Sequence, residues 1–175
     1  MDLIIELGNI YDIDELEQLY NDLNDYLAKG ANYPGWLKDV YPVRQNAMDG
    51  VKNGTLYVSR HNKKIIGSVI LNHEAEPAYY KAKWKFDSDY SDVFVVHTLV
   101  VHPKFLKCGV GKALVEFSFM HGTDSKAKSI RLDVYETNIP AIRLYEKCGF
   151  TYVDTVDLGL GSYGLNWFKL YEKLL

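Results

Sequence analysis

The chain has 175 residues, 47% of them hydrophobic and 25% charged, with a formal net charge of −3 and 14 tyrosines. That length suits one domain, 1–175, able to bury a core without disulfide or metal staples, and the composition argues against disorder. A slightly acidic chain lacks the basic field that attracts nucleic acid, and no segment reaches the roughly 18 apolar residues of a membrane span, so neither is expected as a partner; Cys108 and Cys148 read as free thiols of a cytoplasmic protein.

Strand, helix and turn signals then alternate. The opening LIIEL has no basic residues before its short apolar run and reads as a strand rather than a signal peptide. Asp12 and Glu15 have capping-box spacing, and Ile13, Leu16, Leu19, Tyr20, Leu23 and Leu27 recur on one helical face until Gly30. Pro34, Gly35 and Pro42 break ANYPGWLKDVYP, and VRQNAMDGVKNG predicts a shorter helix ending in a turn. TLYVSR and KIIGSVILNHE flank HNKK as a hairpin, and DVFVVHTLVV follows as a third long strand. The intervening Glu74 to Ser91 is too long for a hairpin turn and carries Tyr79, Tyr80, Trp84, Phe86 and Tyr90; a cover over a pocket and a packing lid over the core both fit it. CGVGKALVEFSFM reads as a helix, SIRLDVYE as a strand, and NIPAIRLYEKCGF as a helix capped by Asn138 and stopped by Gly149. TYVDTVDL and LNWFKLYEKLL are the last strands.

Gly109 and Gly111 stand where that first helix begins, a place where each costs roughly 1 kcal/mol relative to Ala. Their presence asks what comes close to the backbone there. A P-loop needs Gly in place of Leu106 and Ser or Thr in place of Ala113, and a dinucleotide fingerprint needs Gly in place of Leu114. What remains is a run of N–H groups from Lys107 to Lys112 at a helix N-terminus, with no β-carbon at two positions, as a pyrophosphate would require. Tight packing of the helix on a strand accounts for the two glycines equally well.

LVVHPKFLKCGVGKAL, followed by NIPAIRLYEKCGF, resembles the GCN5-related N-acetyltransferase (GNAT) superfamily, in which a strand leads to a Gln/Arg-x-x-Gly-x-Gly/Ala loop and a later Asn-x-x-Ala-x-x-Leu-Tyr-x-x-x-Gly-Phe carries the catalytic helix. The β-α-α-β-β-β-α-β-α-β-β order is also that of the superfamily. The resemblance implies an α/β fold with a mixed, mostly antiparallel central sheet flanked by helices. That sheet is splayed between the His97 strand and SIRLDVYE to admit a coenzyme. It also implies an enzyme that moves an acetyl group from acetyl-CoA directly to a primary amine, without a metal. Leu106 replaces the usual Gln or Arg and Lys107 the usual glycine after it. Because backbone amides hold the phosphates, this removes one side-chain contact, and Lys107 and Lys112 return positive charge nearby.

By the same resemblance Lys107, Cys108, Gly109, Val110, Gly111 and Lys112 cradle the pyrophosphate. The backbone of Leu99, Val100 and Val101 pairs with the pantetheine arm and donates to the oxyanion, and Asn138 touches the coenzyme. Tyr145, two helical turns after Asn138, stands where the family places the acid for the leaving thiolate; a core tyrosine has the same spacing. His97 shares a strand face with Leu99 and Val101 and is the candidate base, with Glu74 and Glu76 as competitors and a packed histidine as the plain alternative. A covalent acetyl-Cys108 lacks an activating partner in the sequence. Trp36, Tyr41 and Trp84 belong to parts that wall the acceptor in proteins of this look. The acceptor, a small-molecule or peptidic amine, stays open. So do an inactive CoA-binding module and a structural domain whose aromatic insertion makes a homodimer.

Overall fold

Periodicity decides where this chain becomes helix and where it becomes strand. The computed structural model describes residues 1–87 and 89–175. Its main elements are β1 (Ile4–Leu7), α1 (Ile13–Lys29), α2 (Arg44–Lys52), β2 (Leu56–His61), β3 (Lys64–Asn72), β4 (Val93–Val101), α3 (Val110–Asp124), β5 (Ser129–Tyr135), α4 (Ile139–Lys147), β6 (Thr151–Val156) and β7 (Phe168–Leu174). This is the predicted order. The strands form one sheet in the sequence β1-β2-β3-β4-β5-β7-β6. Within it β4 and β5 run parallel, while β1–β2, β2–β3, β5–β7 and β6–β7 are antiparallel. The β4–β5 ladder covers Val93–Val95 opposite Ser129–Arg131 and stops there, although the two strands are nine and seven residues long, as a splayed sheet requires. No helix among the described residues is long and apolar enough to cross a membrane.

Two sets of segments each pack mainly within themselves: Met1–Asn32, Trp36–Leu71 and His97–Phe117 form one unit, and Tyr33–Gly35, Asn72–Val96 and Ser118–Leu175 the other. In the first, the apolar stripe of α1 lies on Ala47 of α2, Leu56 and Val58 of β2, Ile65 and Ile70 of β3, and Val100 of β4. Each such Leu or Ile contributes about 1.5–3 kcal/mol by leaving water. The β2–β3 hairpin turns on Asn62 and Lys63, both left-handed, as the right-handed strand twist favours in a two-residue loop. At Gly67 of β3 a β-carbon would come within 2.9 Å of the Val100 carbonyl and 3.0 Å of Val110. A glycine there is what lets the start of α3 lie close to the strand.

The start of α1 corrects one expectation. Asp12 is the N-cap residue but makes no side-chain cap bond. Its carboxylate accepts from the Asn9 amide at 2.9 Å and pairs with Arg60 of β2 at 2.7 Å, while Glu15 accepts from the Ile65 amide of β3 at 2.8 Å. The capping box lies one turn earlier, on Asn9 and Asp12. Tertiary partners have taken both carboxylates, which local spacing cannot show.

In the second unit, Glu74 to Ser91 forms short 3-10 turns at Pro77–Lys81 and Tyr90–Asp92; residue 88 of that stretch lies outside the described residues. It packs as a lid: Tyr79 is fully buried with Val95 and Leu170, and Trp84 and Tyr90 close over them. Tyr79 donates to Asp133 of β5 at 2.7 Å, and burial together with that carboxylate holds its pKa well above the ordinary tyrosine value. Arg131 of β5 and Glu172 of β7 stand opposite each other in register and form an ion pair at 3.0 Å, each only 1% exposed. Such a pair is costly unless its remaining polar atoms are used. Here Arg131 also donates to the Phe86 carbonyl, Glu172 accepts from the Lys85 amide at 2.8 Å, and the guanidinium lies 4.2 Å from the Trp84 ring centroid.

Candidate active site

In the first unit the informative residues gather on β4 and the loop after it. Half-buried His97, Leu99 and Val101 alternate with buried Thr98 and Val100. Thr98 interrupts this regular pattern with a φ of 48° in the middle of the strand. A β-branched residue in the left-handed region is a genuine outlier, at a cost of about 1–3 kcal/mol. The hydroxyls of Tyr41 and Thr98 share a hydrogen bond of 2.5 Å. Tyr41 is fixed in turn: the Asn24 side chain of α1 donates to the Tyr41 and Pro42 carbonyls at 3.3 and 3.4 Å, and Trp36 meets the Tyr41 ring edge-on at 5.4 Å. Nearby, burial pushes the Tyr20 phenol up to about 12.

After β4 the chain makes a 3-10 turn at Pro103–Phe105 and then a turn in which Lys107 and Gly109 are both left-handed, with φ of 62° and 87°. A β-carbon added at Gly109 would meet no atom of the described residues within 4 Å. Tight packing therefore does not explain Gly109; that task belongs to Gly67. The first backbone bond of α3 runs from the Ala113 amide to the Gly109 carbonyl at 3.0 Å, so the N–H groups of Val110, Gly111 and Lys112 precede the helical ladder and lie at the positive end of the helix dipole. Lys107 and Cys108 are exposed, and Lys112 pairs with Glu116 at 2.9 Å. The Cys108 thiol donates to the Leu106 carbonyl at 3.6 Å, and no disulfide is formed among the described residues.

In the second unit α4 carries two of the expected residues. Asn138 caps the helix, its side-chain oxygen accepting from the Ala141 amide at 3.4 Å. Tyr145, 8% exposed, lies two turns along, its ring edge-on to Phe150 at 5.7 Å. Gly149 reverses the chain at a φ of 88°, returning the Phe150 amide to the Tyr145 carbonyl at 3.1 Å. Trp84 is occupied within the lid, donating to the Tyr79 carbonyl at 2.7 Å and covering Arg131. A cleft of about 530 Å³ opens between the Glu76–Lys81 turn and the chain after β6, lined by Glu76, Pro77, Lys81, Asp157, Leu158 and Trp167 among others.

The structure thus brings Tyr41 to β4 and keeps Asn138 and Tyr145 on one helix. Thr98 is a residue that sequence reasoning missed, and no local signal marks it in a run of strand formers. Arg131 and Glu172 were also missed; their trace is Glu172 on a strand face otherwise made by Phe168, Leu170 and Leu174.

Comparison with known proteins assigns the family. The Acetyltransferase (GNAT) family model matches residues 16–150. Streptothricin acetyltransferase of Escherichia coli is 33% identical over 117 residues, covering 65% of this chain and 59% of that protein. The chain spans less than two thirds of the length of the curated relatives it matches. A GNAT-family acetyltransferase of Streptococcus agalactiae, 21% identical, aligns over 99% of this chain and 95% of its own with a TM-score of 0.80. The Salmonella typhimurium protein yncA, solved with its cofactor acetyl-CoA, is 15% identical and aligns over 99% and 94% with a TM-score of 0.71. These two likenesses show the fold; with the family match across most of the sequence, the chain belongs to the GNAT acetyltransferase family.

Proposed function

We propose that the chain is one acetyltransferase domain, 1–175, that uses acetyl-CoA to acetylate a primary amine by direct transfer. The loop before α3 carries this reading: two left-handed residues, open space over Gly109 and three amides ahead of the helical ladder form a cradle for an anion. Open space over Gly109 beside amides at a helix N-terminus fits a pyrophosphate. Bound acetyl-CoA supplies an acetyl group on a thiolate leaving group.

The rest is work for this chain's own residues. The amides of Val110, Gly111 and Lys112 hold phosphate oxygens, aided by the helix dipole and the charge of Lys107. The backbone of Leu99, Val100 and Val101 hydrogen-bonds the pantetheine arm, and Asn138 contacts the coenzyme. His97 takes the proton that the attacking amine must lose, with Glu76 as the competing base. The Tyr145 hydroxyl gives a proton to the departing sulfur. Trp36 and Tyr41 belong to the acceptor side. Streptothricin, for which the Escherichia coli relative is named, is the first acceptor to assay.

Tyr145→Phe tests the reading. It removes one oxygen from a side chain that otherwise packs unchanged, so kcat falls about 10²- to 10⁴-fold with KM for acetyl-CoA near the wild-type value. Full turnover in the folded variant would reject Tyr145 as the acid.

A further inference from the structure

We propose that Tyr41 is a positioning residue, whose hydroxyl holds Thr98 in its left-handed conformation and so sets the peptide between Thr98 and Leu99 for the acyl transfer; this rests on the function proposed above. Nothing in the local sequence asks for the kink. VFVVHTLVV is a run of strand formers, and an unsupported threonine there would relax to extended backbone. A residue persists in such a conformation only where its surroundings over-determine it.

The surroundings are visible and lie within one unit. Thr98 is 8% exposed and bonded through its hydroxyl to Tyr41 at 2.5 Å. Asn24, 2% exposed on α1, fixes the backbone at Tyr41 and Pro42 through its amide group. Trp36 closes against the Tyr41 ring, and Asn32 secures Trp36 from both sides, donating to its carbonyl at 2.7 Å and accepting from its amide at 3.1 Å. A rigid helix is thereby connected, through three side chains of the α1–α2 connection, to a single strained position of β4. The left-handed residue rotates the peptide planes on either side of it, so the directions of the His97 carbonyl and the Leu99 amide depend on Thr98 staying where Tyr41 holds it. An aromatic wall for the acceptor would need the Tyr41 ring but not this hydroxyl.

That difference makes the experiment. Tyr41→Phe keeps the ring, Thr98→Val keeps the shape, and Thr98→Ser keeps the hydroxyl. Misplaced backbone at the reacting centre lowers kcat by about 10- to 100-fold in Tyr41→Phe and in Thr98→Val. KM for the amine and for acetyl-CoA should move less than about threefold in both variants. The double variant is no worse than the poorer single one, because both remove the same bond. Thr98→Ser retains wild-type kcat. In parallel, the Leu99 amide resonance of the whole chain, measured by NMR without substrates, shifts in Tyr41→Phe and Thr98→Val and stays in place in Thr98→Ser. Wild-type kcat and KM in Tyr41→Phe overturn the proposal in favour of a wall, and a raised amine KM with kcat intact overturns it in favour of a hydroxyl that binds the acceptor. An unmoved Leu99 resonance overturns it independently. If the wild type acetylates no amine, the proposed function has failed, and the resonance shifts still decide whether Tyr41 sets the strand.

Discussion

The connection from His102 to Val110 in one unit and the connection from His73 to Asp92 in the other solve opposite problems. The first leaves its middle open to solvent: Leu106, Lys107, Cys108 and Gly109 are all exposed, and Lys107 and Gly109 are left-handed. The second fills space with side chains. Tyr79 is buried on Asp133, Trp84 covers Arg131, and the backbone at Lys85 and Phe86 is bonded to Glu172 and Arg131. On the proposed function, changes in a connection built the first way should register as lost affinity. One built the second way is shaped for the protein itself, and changes in it should register as lost stability.

The largest expected effect lies in the second. Arg131→Met strips Glu172 of its cation and leaves a carboxylate that is 1% exposed beside an apolar side chain. Unfolding free energy should fall by about 3–5 kcal/mol, read from the midpoint of urea denaturation. A loss below about 1 kcal/mol would mean that the lid is held by packing alone. Gly109→Ala should do the reverse. The new β-carbon meets no protein atom, so the stability loss is limited to the left-handed backbone, about 1–2 kcal/mol. The dissociation constant for acetyl-CoA, measured by calorimetry, should rise about tenfold or more, because the methyl group enters the anion cradle. Unchanged affinity would reduce Gly109 to a turn residue.

The smallest effect concerns Tyr79 and has a defined direction with pH. Its folded-state pKa lies well above the ordinary 10.0, because burial and Asp133 favour the neutral phenol. The unfolded chain therefore releases this proton first. The stability that Tyr79 contributes is intact below about pH 10 and falls as pH rises from there towards the folded value. Tyr79→Phe should lose about 0.5–1.5 kcal/mol near neutrality with its hydrogen bond. It should also show a flatter decline on the alkaline side, seen in urea midpoints on either side of pH ~10. Parallel alkaline declines in the two proteins would show that Tyr79 does not titrate with unfolding.

The element order was legible because each element carries its own period: the stripe on α1, the alternation of the strands and the Asn62–Lys63 turn are local facts. The anion loop was legible only as a question, since two glycines at a helix start fit packing as well as a ligand. The close approach of strand and helix falls instead at Gly67, whose contact with Val100 and Val110 joins parts of the chain that no local pattern connects. The same distance in sequence hid the partners of Asp12 and Glu15, which lie on β2 and β3, and the Arg131–Glu172 pair, 41 residues apart. Thr98 was hidden for a different reason. Its type and neighbours all favour extended backbone, and only Tyr41, 57 residues earlier, says otherwise.

The most direct test of the account is amine-dependent thiol release by the wild-type chain. Acetyl-CoA is supplied with streptothricin and with a set of primary amines, free thiol is followed continuously, and the N-acetylated product is quantified by mass spectrometry. Thiol release should require the amine and match the acetylated product one for one. Tight binding of acetyl-CoA with no amine-dependent thiol release across the set would contradict it, and would make the chain a module that holds the coenzyme without using it.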